Sequence, residues 1–355
     1  MPELEPVLDL SHREALALLR TRGLSIKALD DTKREQIRAF LDYLHNTRGM
    51  SLNDVAKLLG NKTSGYTSWV CSQLGVRRRP FEEARLKGIR EKRRKYERKP
   101  FDGTDEDKAY LLGLKHGDLT ASRPWNGVVR VSTSTTHPAM AKLFSVLFSP
   151  HGHVYQIPRY KKDTKTYEWN LDVILDESFS FLLKEFEETK DWVEESESRV
   201  IAYLSGFLDA EGSILVTRNS RGGVVIFVDY FNEHRPILEW ISARVREMGL
   251  GTSIRLNKPI GRGTTGFHLN HNREYWQMSI FSAKKIQDLI RRLVIRHPEK
   301  VSRREIALSV TEKMAYQEIA GVIISLRTLI KAEVAQFVKL AERTYLEKHA
   351  SPLRD

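Results

Sequence analysis

Two stretches of this chain can be laid over each other, and that repeat constrains the fold more than any other feature. Residues 107–118 read DKAYLLGLKHGD and residues 200–211 read VIAYLSGFLDAE. Each run has helical periodicity. Each is followed by a strand signal (120–122; 213–217), a Gly-containing turn and a second strand (128–134; 224–230). A helix (138–148; 236–248), a second strand pair (153–158 with 167–174; 252–256 with 275–280) and a closing helix (178–188; 283–295) complete each half. Alternation supports the strands: Tyr167, Trp169, Leu171 and Val173 make one face, while Glu168, Asn170 and Asp172 make the other. The expected fold class is α+β, with two pseudo-symmetric αββαββα halves related as in a twofold dimer, an all-α N-terminal domain and a helical C-terminal tail.

The repeated helices also share small residues. Gly113 and Gly117 lie four apart, as do Gly206 and Ala210, so one face of each helix lets another backbone approach closely. An acid follows each stripe at the helix C-terminus, Asp118 in one copy and Glu211 in the other. There a carboxylate meets the negative end of the helix dipole, at a cost of a few tenths to about 1 kcal/mol. A compensating positive charge is therefore expected. Two carboxylates brought together at such a seam suit a hard divalent cation, Mg2+ or Mn2+, able to polarise a phosphodiester and activate water. Either acid alone reads as an ordinary turn residue; their matched positions make them a candidate centre.

Charge supplies a partner class. The chain has 58 Lys and Arg against 46 Asp and Glu, a net +12, and twelve basic residues against four acids fall within 77–99, beginning Arg77-Arg78-Arg79. Such a tract is the electrostatic signature of a polyanion, because each phosphate contact releases counterions; the alternative is a solvated linker helix. No apolar run is long enough to span a bilayer. The single cysteine, Cys71, excludes an internal disulfide and favours a reducing compartment. The amino end lacks the plan of an export signal, so a cytoplasmic protein, nucleoid-associated in a prokaryote, is expected.

Ahead of the tract, Leu16, Leu18 and Leu19, then Ile37, Phe40, Leu41 and Leu44, predict two helices within 11–48. Ser51 and Asp54 form a capping box that opens a short helix with Val55, Leu58 and Leu59 inward, and a second helix covers about 64–74 before Gly75. This looks like a helix-turn-helix, whose second helix would enter the major groove with Thr63, Ser64, Tyr66 and Thr67 near bases or phosphates. The alternative is a plain helical hairpin with Trp69, Val70 and Leu74 as core. The expected domains are 1–76, helix-turn-helix-like; 77–106, a basic linker or helix; 107–198 and 199–300, the two halves; and 301–355, a helical extension.

The repeat resembles the LAGLIDADG homing endonuclease family, named for a nine-residue helix motif. Its copies here are LLGLKHGDL at 111–119 and LSGFLDAEG at 204–212, both acidic at the eighth position. The second is a close match. In the first, Lys115 and His116 stand at usually apolar and acidic positions, and Leu119 replaces the closing Gly. The resemblance covers 107–297. It implies a monomeric saddle over double-stranded DNA, with the motif helices crossing at its centre and both strands cut across the minor groove. By motif position, Asp118 and Glu211 would ligate the metal, assisted by the carbonyls of Gly117 and Ala210. A basic residue beside the metals is also implied, with Lys284 and Lys285 as candidates.

If the apolar sheet faces pack under the helices, the opposite faces read the major groove. That places Arg130, Ser132, Ser134, Glu168, Asn170 and Asp172 in one half, and Tyr275, Gln277 and Ser279 in the other. Lys161, Lys162, Lys165, Arg218, Arg221, Arg255, Lys258 and Arg262, on or beside the hairpin loops, are further candidates for DNA contact. The function expected is a site-specific DNA endonuclease making metal-dependent double-strand cuts in a long duplex target. The alternatives are an RNA maturase, with intron RNA as partner, and a DNA-binding regulator without catalysis.

Overall fold

The computed structural model describes residues 10–20, 26–60, 64–77, 96–125, 127–259, 273–281 and 285–350. The chain divides into two compact units, Met1–Lys95 and Tyr96–Asp355.

The described residues of the first unit form helices: α1 (Leu10–Arg20), α2 (Asp31–Asp42) continuing into a π-helical turn, α3 (Leu52–Leu58) and α4 (Ser64–Gln73). Asp30 caps α2 by accepting from the Lys33 backbone N–H at 2.8 Å, and Ser51 caps α3 by accepting from Asp54 N–H at 3.2 Å. Leu16, Leu19, Ile37, Phe40, Leu41, Leu44, Val55, Leu58 and Val70 form the core. Arg20 donates to the Leu58 carbonyl at 3.0 and 3.3 Å, which ties α1 to the end of α3. Gly75, at φ +65°, takes the left-handed conformation that ends α4.

In the second unit the first half runs α5 (Asp105–Gly117), β1 (Thr120–Ser122), β2 (Val128–Thr135), α6 (Pro138–Phe148), β3 (Val154–Lys161), β4 (Thr166–Asp176) and α7 (Phe186–Glu194). The second half runs α8 (Glu197–Glu211), β5 (Gly212–Arg218), β6 (Val224–Asn232), α9 (Arg235–Glu247), β7 (Gly251–Lys258), β8 (Tyr275–Phe281) and α10 (Ile286–Arg292). Each half makes an antiparallel four-stranded sheet, β1-β2-β4-β3 and β5-β6-β8-β7. The α+β fold expected from the repeat is therefore present. One closing helix differs: 178–188 is not continuous but splits into a 3-10 helix (Glu177–Leu183) and α7. Asp176 caps the first piece, and a second capping box, Glu185 with Glu188, starts a new helix.

Alternation holds along the strands. Val129, Val131, Leu171, Val173 and Leu175 are buried in one half, and Val228, Tyr230, Met278 and Ile280 in the other, each side chain worth about 1.5–3 kcal/mol of burial. The centre of this core is the crossing of α5 and α8, where the small-residue stripes permit backbone contact. A Cβ on Gly113 would lie 2.1 Å from the Tyr203 carbonyl oxygen, and one on Gly206 would lie 1.9 Å from that of Tyr110. Only glycine fits either place.

The tail forms α11 (Pro298–Ser309) and α12 (Tyr316–Ala350). The first packs on β5 and the second on β3 and β4, so the extension braces both halves. Trp169 Nε1 donates to the Phe337 carbonyl at 3.1 Å, fixing α12 against the start of β4.

Candidate metal and nucleic-acid site

The crossing of α5 and α8 delivers two acids to one place. Asp118 caps α5, its N–H bonded to the Leu114 carbonyl at 3.0 Å, and Glu211 ends α8. A Cβ on Gly117 would sit 2.3 Å from Ala210 Cβ and 3.2 Å from Glu211 Cγ, so the helix ends touch just where the acids leave them. Asp118 is open to solvent and Glu211 half-buried. Protein crowding, then the charge of Glu211, push the Asp118 carboxyl up to about 7, against the pull of Lys300. Burial raises Glu211 as well, opposed by a hydrogen bond from the Tyr275 hydroxyl at 2.7 Å and by Lys300. Among the described residues no side chain hydrogen-bonds Asp118, so the two acids are held differently.

The compensating charge demanded by the helix ends is Lys300, which sequence reasoning missed. It enters from α11 and donates to the carbonyls of Leu208, Asp209 and Ala210 at 2.6, 2.7 and 3.1 Å. Burial pulls its pKa down to about 8, while the charges of Asp209, Glu211, Glu299 and Asp118 pull the other way. Lys285, a candidate for this part, instead lies beside Gly249 at the start of α10: a Cβ on Gly249 would come 2.5 Å from its Nζ. The cation that acts on both Asp118 and Glu211 is Lys300. Lys284 lies outside the described residues.

Below the acids, Asp209 is 1% exposed and accepts from Tyr110 Oη at 2.6 Å, from Arg296 N–H at 2.7 Å and from His297 N–H at 3.1 Å. It anchors the strand of chain that leads into α11. A cleft of about 760 Å³ opens beside the helix ends, lined by Gly117, Glu211, His116, Glu233, Arg273 and Tyr275 among others. Among the described residues no group of three or more His, Cys, Asp and Glu could hold a metal ion. A cation would rest on two carboxylates completed by carbonyl, water and phosphate oxygens. That all-oxygen set, carrying surplus negative charge, fits Mg2+ or Mn2+.

The outer sheet faces carry the polar residues expected there, already joined to one another. Arg130 Nε donates to Asp172 at 2.8 and 3.0 Å, Ser134 Oγ to Asn170 Oδ1 at 3.2 Å, and Lys161 lies 4.0 Å from Glu168. In the second half Arg255 donates to Gln277 Oε1 at 3.1 and 3.3 Å, and Gln277 Nε2 donates to Asp229 at 2.9 Å. Gln277 is buried by these partners, and Ser132 is half-buried. Lys162, Lys165, Arg218 and Arg221 are exposed on turns or strand ends, and Lys258 is half-buried with its ammonium 5.5 Å from the Tyr275 ring centroid.

In the first unit, Ser64 and Tyr66 are half-buried and Arg77 is exposed. Thr67 requires correction: it is 0% exposed and faces the core, in line with Val70 and Cys71, so it cannot touch DNA. Trp69, a core residue under the hairpin alternative, is 43% exposed. Thr63, Arg78, Arg79 and Arg262 lie outside the described residues.

Neither a family model nor a curated protein matches the chain. Solved structures do. I-DmoI in complex with DNA and Ca is 18% identical over 57% of this chain and 98% of its own, with a TM-score of 0.37. The homing endonuclease I-WcaI bound to its DNA recognition sequence is 13% identical over 59% of this chain and 88% of its own, with a TM-score of 0.40. The N-terminal LAGLIDADG domain of WhiA is 16% identical over 64% of this chain and 98% of its own, with a TM-score of 0.35. The chain resembles LAGLIDADG proteins. No described helix is long and apolar enough to cross a membrane.

Proposed function

We propose that the protein is a site-specific, divalent-metal-dependent DNA endonuclease that works as a monomer. The observation that carries this is the convergence of Asp118 and Glu211 at the touching ends of two crossing helices, between two sheets with polar outer faces. Asp118, Glu211 and the Gly117 carbonyl would hold Mg2+ or Mn2+. The metal, when bound, polarises the phosphodiester and lowers the pKa of the attacking water.

The rest is done by the chain's own residues. Tyr275 fixes the orientation of Glu211 and opposes the rise that burial brings to its pKa. Gly113 and Gly206 set the separation of the two acids by setting the separation of their helices. On the outer faces Arg130 suits guanine and Asn170 suits adenine, each held by its cross-strand partner, Asp172 and Ser134; Gln277, buried and bonded to Arg255 and Asp229, positions Arg255 rather than reading a base. Lys161, Lys162, Lys165, Arg218, Arg221 and Lys258 supply phosphate contacts, and the tract from Arg77 onward, with the helical unit before it, lengthens the site read.

Selection from a randomised duplex library with the full chain in Mg2+ or Mn2+ tests the reading. Cut molecules should share one long site, and Asp118→Asn or Glu211→Gln should abolish cutting while duplex binding persists. Full cutting by either variant removes these acids from the mechanism. Sequence-specific binding without any cutting by the parent would make the protein a regulator.

A further inference from the structure

Lys300 sits where two general preferences oppose it. It is the third residue of α11, so its charge meets the positive end of that helix's dipole, and at 9% exposure its ammonium has given up water. What it gains is specific. An ammonium has three donors, and all three are matched, to the carbonyls of Leu208, Asp209 and Ala210 at the C-terminal end of α8. The approach to α11 is clamped by the same helix. Val294 N–H donates to Ser205 Oγ at 2.9 Å, and Arg296 and His297 N–H donate to Asp209. With its donors turned to α8, Lys300 cannot reach a phosphate or leaving oxygen without surrendering a carbonyl. It is a positioning residue.

The two halves consequently differ. Each repeat offers an acid and the carbonyl that precedes it, but in the second half the Ala210 carbonyl already accepts from an ammonium. We propose that Lys300 is a resident cation of the centre, occupying the Ala210 carbonyl so that a single divalent ion, held by Asp118, Glu211 and the Gly117 carbonyl, completes it. The inference rests on the metal-dependent reading above. Electrostatics support it: a divalent ion on the Ala210 carbonyl would meet the Lys300 ammonium, 3.1 Å from that oxygen, at close range and with like sign.

The test counts bound Mn2+ by the loss of its free paramagnetic resonance signal, using the full-length metal-free protein without DNA. The parent should bind one ion. Lys300→Met, which keeps the chain length but removes the charge and frees Ala210, should bind two, the first about tenfold more tightly, equivalent to about 1.4 kcal/mol. Lys300→Arg, which keeps the charge, should remain at one. Two ions bound by the parent, or a folded Lys300→Met with neither gain, would overturn the proposal; a merely structural lysine would lower the melting temperature without tightening Mn2+. If Lys300→Met does not fold, the parent and Lys300→Arg still decide the matter, since two ions in either contradicts it. No Mn2+ bound by any variant would overturn the metal-dependent reading itself, a result distinct from failure of the single-ion count.

Discussion

The Tyr110 hydroxyl donates to Asp209 across the helix seam at 2.6 Å, and Tyr203, its counterpart in the second copy, meets His116 Nδ1 at 3.0 Å. Asp209 and His116 occupy the same place in their respective motifs, so each helix uses its tyrosine to reach the other's sixth residue. Burial holds His116 neutral, its pKa down to about 4. One polar contact thus recurs with different chemistry. Tyr110→Phe should cost about 1–3 kcal/mol in urea unfolding, because Asp209 is buried and Oδ1 already lacks a partner among the described residues. Tyr203→Phe should cost less, since His116 Nε2 also lies 3.3 Å from the Lys184 carbonyl. Equal losses would show that the two contacts are energetically alike.

Gly206→Ala and Gly113→Ala should each destabilise by at least about 1–3 kcal/mol, since the added methyl would meet backbone oxygen rather than a movable side chain. Gly321→Ala is the control. Nothing lies within 4 Å of a Cβ there, and replacing glycine within a helix should stabilise by about 0.5–1 kcal/mol. Thermal unfolding distinguishes the two classes, and a Gly206→Ala protein as stable as the parent would contradict the tight crossing.

Stability should carry a histidine signature. Burial first, and then the charge of Lys300, pull His297 down to about 3 from its ordinary value of 6.5. Between those values the unfolded chain binds a proton that the folded chain refuses, so this residue's contribution falls as pH falls from about 6.5 toward 3. His297→Leu should flatten the decline in melting temperature between pH 7 and pH 5. An unchanged slope would mean that His297 takes up its proton in the folded protein.

Tyr275→Phe removes the hydrogen bond that lowers the Glu211 pKa. Protons then compete with metal at higher pH, so Mn2+ affinity should drop more at pH 6 than at pH 8. A loss equal at both values would show that the hydroxyl acts by geometry alone.

Replacing Arg77, Arg78 and Arg79 together by Ala should weaken duplex binding and flatten its salt dependence, by about 0.9 in the log–log slope for each phosphate that is no longer neutralised. Competition binding at several salt concentrations measures this. An unchanged slope would take these three arginines off the DNA.

The fold is largely legible in the sequence because the repeat writes it twice. Gly113, Gly117, Gly206 and Ala210 announce a close crossing, and Ser51 with Asp54 announces a helix start at the residue where it occurs. Polarity misplaces Thr67, although its spacing of three and four to Val70 and Cys71 already puts it on the apolar face. Tyr275 falls on the correct sheet face, but its bond to Glu211 joins residues 64 apart and has no local signal. Lys300 stands in an ordinary Pro-Glu-Lys run. Its one clue is indirect: two acids at helix C-termini require a cation, and a lysine in a helix's first turn is poorly placed unless something else claims it.

The chain between α10 and α11 gives the molecule an indivisibility that its repeat conceals. By symmetry the protein could be cut, swapped or rebuilt at the boundary between its halves, or ended after the second sheet. A chain stopped at Leu293 would keep both acids and lose the ammonium that balances them, Lys300 of α11. Chimeras that exchange one half for another must therefore carry the second half together with α11 as one inherited piece.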